Sequence, residues 1–213
     1  MIVKLTKMSI HKLRKQTSRQ APRRRRSASE ARSEALASAR KLLMERGPGA
    51  VTLKAVAEDL GMTHTNLLHH FGTAGELQSD LMSAMVRDLA EALMEAVAHL
   101  RSDEAAPRAL VDIVFDAFDK GGAGTLAAWI SLSGNLRYLE PVRVAVAELV
   151  SAIEAKFVHE AGDPHLGVTS AVLFIALMAF GDSVIGESLK DMLERERAAS
   201  RKVAAFLLPK FFF

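Results

Sequence analysis

The chain has 213 residues, 49% of them apolar and 25% charged, enough to bury a sizeable core in one or two domains. It contains no cysteine, which removes disulfides, thiolate metal sites and cysteine nucleophiles and fits a reducing, cytoplasmic setting. The net charge of +3 hides an asymmetry: ten of the 28 Lys and Arg residues lie among the first 26 with no acid beside them, leaving 18 bases against 25 acids, a formal −7.

A basic, flexible arm at 1–26 attached to an acidic body points to a polyanion partner, because Lys and Arg gain most where they displace counterions condensed on phosphate. Arg23, Arg24, Arg25 and Arg26 end the arm. No apolar run follows these arginines, so a secretory leader is not expected.

From residue 27 the apolar residues recur at three and four, the period of a helix, almost throughout. Ser27 and Glu30 have the spacing of a capping box, and Leu36, Ala39, Leu42 and Leu43 form one stripe. Gly47-Pro48-Gly49 ends this first helix. Thr52 caps a second helix, on Leu53, Val56, Ala57 and Leu60, which Gly61 stops. Thr63 caps a third, with Met62 placed for a staple to Leu67, and Phe71-Gly72 ends it. Thr73 and Glu76 repeat the capping-box spacing and open a long fourth helix on Leu77, Leu81, Met85, Leu89, Leu93, Val97 and Leu100. Further helices are expected near 105–119, 124–138, 141–161, 165–188 and 192–208. The longest apolar run, Leu166 to Gly181, is shorter than the roughly 20 residues of a membrane span; it reads as a buried helix, and no membrane partner is expected.

A short helix, a glycine-containing turn and a second short helix packed behind a first is the layout of a helix-turn-helix reader. The stretch RSEALASARKLLMERGPGAVTLKAVAEDLGMTHTNLLHHFGTAGEL, Arg32 to Leu77, resembles the amino-terminal domain of the TetR family of transcriptional regulators. The landmarks are Glu45-Arg46-Gly47, Thr52, Val56-Ala57, Leu60-Gly61-Met62-Thr63, Leu67, His70-Phe71, Thr73 and Leu77. The resemblance implies an all-α fold: a DNA-binding domain at 27–77 and a helical effector-binding and dimerisation domain at 78–213. It departs from the family at two places, with Leu68 where a phosphate-contacting tyrosine is usual and Ala74 where a lysine usually opens the fourth helix.

At about 100° per residue, with Leu67 facing the core, Thr65 and His69 lie at about 160° and 200° and face outward, while His70 lies about 60° from the core direction. Thr65 and His69 are therefore expected to read bases, with His64 and Thr63 on the exposed first turn. A thymine methyl can pack on Thr65 or Leu68, and a histidine nitrogen can donate to guanine. Thr52, Lys54, Asn66 and His70 are candidates for phosphate contact. His64, His69 and His70 lack the i, i+4 spacing of two ligands on one helical face, so no metal site and no cofactor are expected.

Enzyme motifs are poor. GDSVIG at Gly181 to Gly186 has one residue too many for a nucleophile elbow and reads as a break or close approach in a helix. GGAG at Gly121 to Gly124 reads as a turn, and Asp112, Asp116 and Asp119 as a solvated acidic face. An effector pocket is expected from Phe115, Phe118, Trp129, Leu132, Phe174 and Met178, with Asn135, Tyr138 and Asp182 orienting the ligand. Leu173, Leu177, Val184, Val203, Phe206 and Leu207 exceed what one subunit's bundle needs and suggest a two-fold homodimer. The ending FLLPKFFF is expected to pack on the body or the partner. The expected whole is a cytoplasmic regulator, not an enzyme, that represses from a palindromic double-stranded DNA operator and is released by a small apolar effector. The alternatives are a non-specific nucleic-acid binder relying on the arm, and an apolar ligand carrier or enzyme on a helical bundle.

Overall fold

The computed structural model describes residues 27–99, 106–134, 136–155 and 164–211, and all regular structure among them is helical. Helix α1 (Ala28–Arg46) has both arms of its capping box: the Glu30 amide donates to Ser27 Oγ at 3.1 Å and the Ser27 amide to Glu30 Oε2 at 2.8 Å. Gly47 ends it at φ 78°, and a 3-10 turn, Pro48–Ala50, leads on. Helix α2 (Leu53–Leu60) is capped by Thr52, and Gly61 closes it in the left-handed conformation that glycine adopts without a Cβ penalty. Helix α3 (His64–Phe71) is capped by Thr63. Helix α4 (Ala74–His99) has only half of its expected box. Thr73 Oγ1 accepts from the Glu76 amide at 3.1 Å, but the Thr73 amide donates to the Phe71 carbonyl, so the returning arm is not made.

The bundle consists of α5 (Ala106–Phe118), α6 (Ala123–Leu132), a 3-10 turn (Leu136–Leu139), α7 (Glu140–Glu154), α8 (Pro164–Gly181), a π-turn (Asp182–Gly186), α9 (Glu187–Met192), α10 (Ala199–Leu207) and a final 3-10 turn (Leu208–Phe211). The helix expected at 124–138 therefore breaks at Ser133-Gly134, where Gly134 has φ 71°. The last helix starts at 199 rather than 192, after a break in which Glu194 is held at φ 52°.

There are two cores. The first joins Ala35, Ala39, Leu42, Val56, Leu67 and Phe71 of α1, α2 and α3 to Leu77, Leu81 and Met85 of α4, and also takes in Ala123, Leu126 and Ile130 of α6. The reader thus shares its interior with the bundle. The second core, with Phe115, Leu149, Ala171, Ile175, Ala204 and Leu208, joins the bundle to Leu93 of α4.

Two expectations change here, and a third holds. The apolar stretch beginning at Leu166 is not a buried helix: Gly167–Met192 is long and apolar enough to span a membrane, yet only 22% of its window is buried. The same rod carries Asp182, Glu187, Lys190 and Asp191 and packs on α5 and α7. The acidic face of α5 is not simply solvated either. Arg201 reaches it from α10, with Nη1 3.2 Å from Asp112 Oδ1 and Nη2 2.7 Å from Asp116 Oδ1, and its guanidinium lies 5.4 Å from the centre of the Phe115 ring. Burial works to raise both carboxyls, but Arg108 and then Arg201 at Asp112, and Arg201 and then Lys120 at Asp116, outweigh it and hold them below the usual carboxylate range. Finally, the GDSVIG segment does contain a close approach, formed as a π-turn: a Cβ on Gly124 of α6 would lie 2.7 Å from Ser183 Cβ and 3.0 Å from the Phe118 carbonyl.

Candidate nucleic-acid interface and bundle cavity

Helix α3 divides its side chains as its period requires. Leu67 and Phe71 are buried, Thr63, His64, Thr65, Asn66, Leu68 and His69 are exposed, and His70 is half-buried. The neighbouring histidines thus face different surroundings. The His70 ring stands edge-on to Phe71, with centroids 6.4 Å apart, while His69 projects into solvent. Thr52 is half-buried with its hydroxyl engaged as a cap, and Lys54 is exposed beside Glu58 at 3.9 Å. Arg23, Arg24, Arg25 and Arg26 lie outside the described residues.

Sequence reasoning missed how α3 is held. Arg32 of α1 donates through Nη1 to the His70 carbonyl at 2.5 Å, pairs through Nη2 with Asp80 of α4, and lies 4.6 Å over the Phe71 ring. One side chain therefore fixes the C-terminal end of α3 to both flanking helices. Burial pushes the Asp80 carboxyl up, against the opposing pull of Arg32. Two further ties orient α2 and the turn before it: Lys41 and Ser38 both hold Asp59 at 2.7 Å, and Gln78 Nε2 donates to the buried Val51 carbonyl at 3.0 Å. Lys41 and then Ser38 draw the Asp59 carboxyl below its usual range.

The bundle and α4 form a partly open cavity of about 200 Å³. Its walls come from α4 (Val86, Leu89, Leu93, Met94), α5 (Leu110, Val114, Phe118), α7 (Val146, Leu149, Ile153) and five residues of α8, with Leu208. Every lining side chain is apolar. Of the residues expected to form a pocket, only Phe118 lines it. Phe115 is packed in the second core under Arg201. Trp129 lies on Gly49, where a Cβ would be 3.5 Å from the indole, and Leu132 is 86% exposed. Phe174 packs on Phe211 at 5.2 Å and Met178 joins the second core from its edge. Tyr138 turns away to the start of α4, where a Cβ on Gly75 would run into its ring. Asp182 is committed to Lys190 at 2.8 Å and Ser200 Oγ at 2.6 Å; Asn135 lies outside the described residues. Large aromatic side chains fill space, and the void lies where small residues such as Ala171 and Ala176 of α8 line it.

On the outer face, Leu173, Leu177, Val184, Val203 and Phe206 are exposed, joined by Ile185, Leu189 and Met192, while Leu207 is half-buried. The final segment packs on its own bundle, through Leu208 and the Phe211–Phe174 contact.

Residues 35–77 match the family described as bacterial regulatory proteins, tetR family. This segment is a TetR-type DNA-binding domain. The family consists of non-enzymatic transcription factors. Solved structures agree on the TetR-like fold over most of the chain. A putative transcriptional regulator from Rhodococcus sp. RHA1 superposes with a TM-score of 0.63 at 12% identity, covering 85% of this chain and 94% of that one. A TetR-family transcriptional regulator from Pectobacterium atrosepticum gives 0.60 at 18% identity, over 85% and 91%. A putative transcriptional regulator from Saccharomonospora viridis, solved in complex with choline, gives 0.54 at 18%, over 86% and 95%. No curated protein sequence matches the chain.

Proposed function

We propose that this TetR-family protein is a cytoplasmic homodimeric repressor, released from a palindromic operator when a small neutral apolar molecule enters the bundle cavity. The observation that carries the reading is the double duty of α4. Its first turns, through Leu77, Leu81 and Asp80, brace α3, while Val86, Leu89, Leu93 and Met94 further along form one wall of the cavity. A ligand that displaces that wall acts on the support of the reading helix, and it lowers operator affinity by its differential affinity for the two arrangements. A second connection runs from Phe118 through the turn at Gly121-Gly122 into α6, which shares the reader's core.

The cavity's chemistry narrows the ligand. Walls without a donor, acceptor or charge disfavour a carboxylate or an ammonium group, whose desolvation nothing would offset. Choline, the ligand of the Saccharomonospora viridis protein, suits an aromatic cage, and this lining has Phe118 alone. A void of roughly 150 Å³ holds benzene, so about 200 Å³ suits a hydrocarbon portion of about eight carbons. The same walls offer no acid, base or nucleophile, which favours binding over catalysis. The exposed strip from Leu173 to Phe206 is the natural face for a second copy, since contiguous apolar surface of this kind marks an interaction site.

The test is selection of bound genomic fragments by the purified full-length protein, followed by titration of the selected duplex with medium-chain alcohols, lactones and alkyl aromatics. Specific protection of a palindrome, lost on adding an apolar compound but not choline, is expected. Equal affinity for selected and random duplex would replace this reading with that of a non-specific binder.

A further inference from the structure

Among the described residues, the surface around α3 is short of cations. No Lys or Arg occurs between Lys54 and Arg87, a stretch holding all of α3, the start of α4 and four acids, Glu58, Asp59, Glu76 and Asp80. Nearby cations are already committed: Lys41 to Asp59, Arg32 to Asp80, Arg40 to Asp88. Phosphates flanking the bases under α3 would meet a neutral or acidic rim. Among the described residues, one cation reaches the start of α4 from the bundle. Arg137 is exposed on the 3-10 turn between α6 and α7, with its guanidinium 5.2 Å from the centre of the Tyr138 ring. Tyr138 is seated over Gly75 in the first turn of α4 and anchored there because Ser79 Oγ donates to its carbonyl. Contacts of 3.4 Å join Thr73 Oγ1 to the Tyr138 hydroxyl and that hydroxyl to Arg137 Nη2. The cation therefore stands within about 7 Å of Thr73, which lies two residues past the end of α3. Among the described residues no carboxylate forms an ion pair with it; Glu76 contributes only its field, its carboxylate turned back over Gly72.

We propose that Arg137 is a DNA-backbone contact supplied by the regulatory bundle, its guanidinium held over Tyr138 at the start of α4 to meet a phosphate beside the bases read by α3. Tyr138 is the positioning residue. Gly75 is required because any side chain there would displace the ring. The turn runs directly into α7, whose Val146, Leu149 and Ile153 line the cavity, so this grip on DNA belongs to the part of the molecule that senses the ligand.

The inference rests on the DNA-binding reading, and the experiment separates the two. Binding of the full-length wild-type protein to a mixed-sequence duplex and to its selected duplex is measured over a series of salt concentrations. Arg137→Gln is expected to weaken both complexes by similar factors and to reduce the salt slope by about 0.9 per lost contact, hence about 1.8 for a two-headed complex. Arg137→Lys is expected to keep the slope, and Tyr138→Leu to lower it with the charge still present. An unchanged slope in Arg137→Gln, with wild-type binding intact, makes Arg137 merely a packing lid on Tyr138 and overturns the inference alone. Loss confined to the selected duplex makes it a base reader and overturns it too. Wild-type protein that binds neither duplex overturns both readings. Circular dichroism melts of each variant establish that the fold is retained.

Discussion

Arg32→Met removes the clamp on the reading helix while keeping most of the aliphatic stem. A partly exposed ion pair contributes up to about 1 kcal/mol, a guanidinium over an aromatic face about 0.5–1, and a hydrogen bond such as that to the His70 carbonyl about 1. Together the loss is about 2–3 kcal/mol, which for a protein of this size lowers Tm by roughly 4–12 °C. The deficit should depend on pH. Burial already raises Asp80 in the folded protein despite Arg32, so the folded state holds this proton more tightly than the unfolded chain, and the contribution of Asp80 to stability falls as pH rises through its titration. Without the guanidinium the folded pKa rises further. The variant's disadvantage is then full above that pKa and shrinks as pH falls and Asp80 becomes neutral in both proteins. Thermal unfolding of wild type, Arg32→Met, Asp80→Leu and the double variant between neutral and mildly acid pH gives the coupling directly. Additive single effects, or a deficit that does not change with pH, would refute the reasoning.

His69→Ala should alter the preferred duplex sequence with Tm unchanged, since each well-made base contact discriminates by about 1–3 kcal/mol; His70→Ala should weaken all sequences alike, as read by the same selection. Gly124→Ala drives a methyl against Ser183 and the Phe118 carbonyl and should cost about 1–3 kcal/mol in chemical denaturation, part of which Ser183→Gly restores. Ala176→Leu extends into the cavity and should reduce binding of an apolar fluorescent probe by about tenfold or more without loss of stability; unchanged probe affinity would remove the cavity as its site.

The elements that the sequence made legible are those fixed by neighbours along the chain. Ser27, Thr52 and Thr63 cap the helices they precede, Gly61 ends the one it follows, and the three-and-four period put Leu67 inward and His69 outward, because each depends on spacings of four residues or fewer. What stayed hidden depends on distant partners. Arg201 docks on Asp112 across 89 positions and Arg32 on Asp80 across 48, and no local pattern reveals such pairings. The cavity's lining differs from the expected pocket residues for another reason. Periodicity marks which residues are large and apolar, whereas a cavity is the space they leave, so Phe115 and Trp129 were drawn to it while Ala171 and Ala176, which make room, carried no signal. Tyr138 looked like a ligand-orienting hydroxyl until the glycine that admits its ring, Gly75, was seen against it.

Trp129 is the chain's single tryptophan, and it rests half-exposed on Gly49, where the turn after α1 meets α6. Its emission is therefore an optical gauge at the seam between the amino-terminal head and the bundle, free of contributions from any other indole. A shift in that signal reports how closely the two parts fit, in the unlabelled protein and as a change in colour.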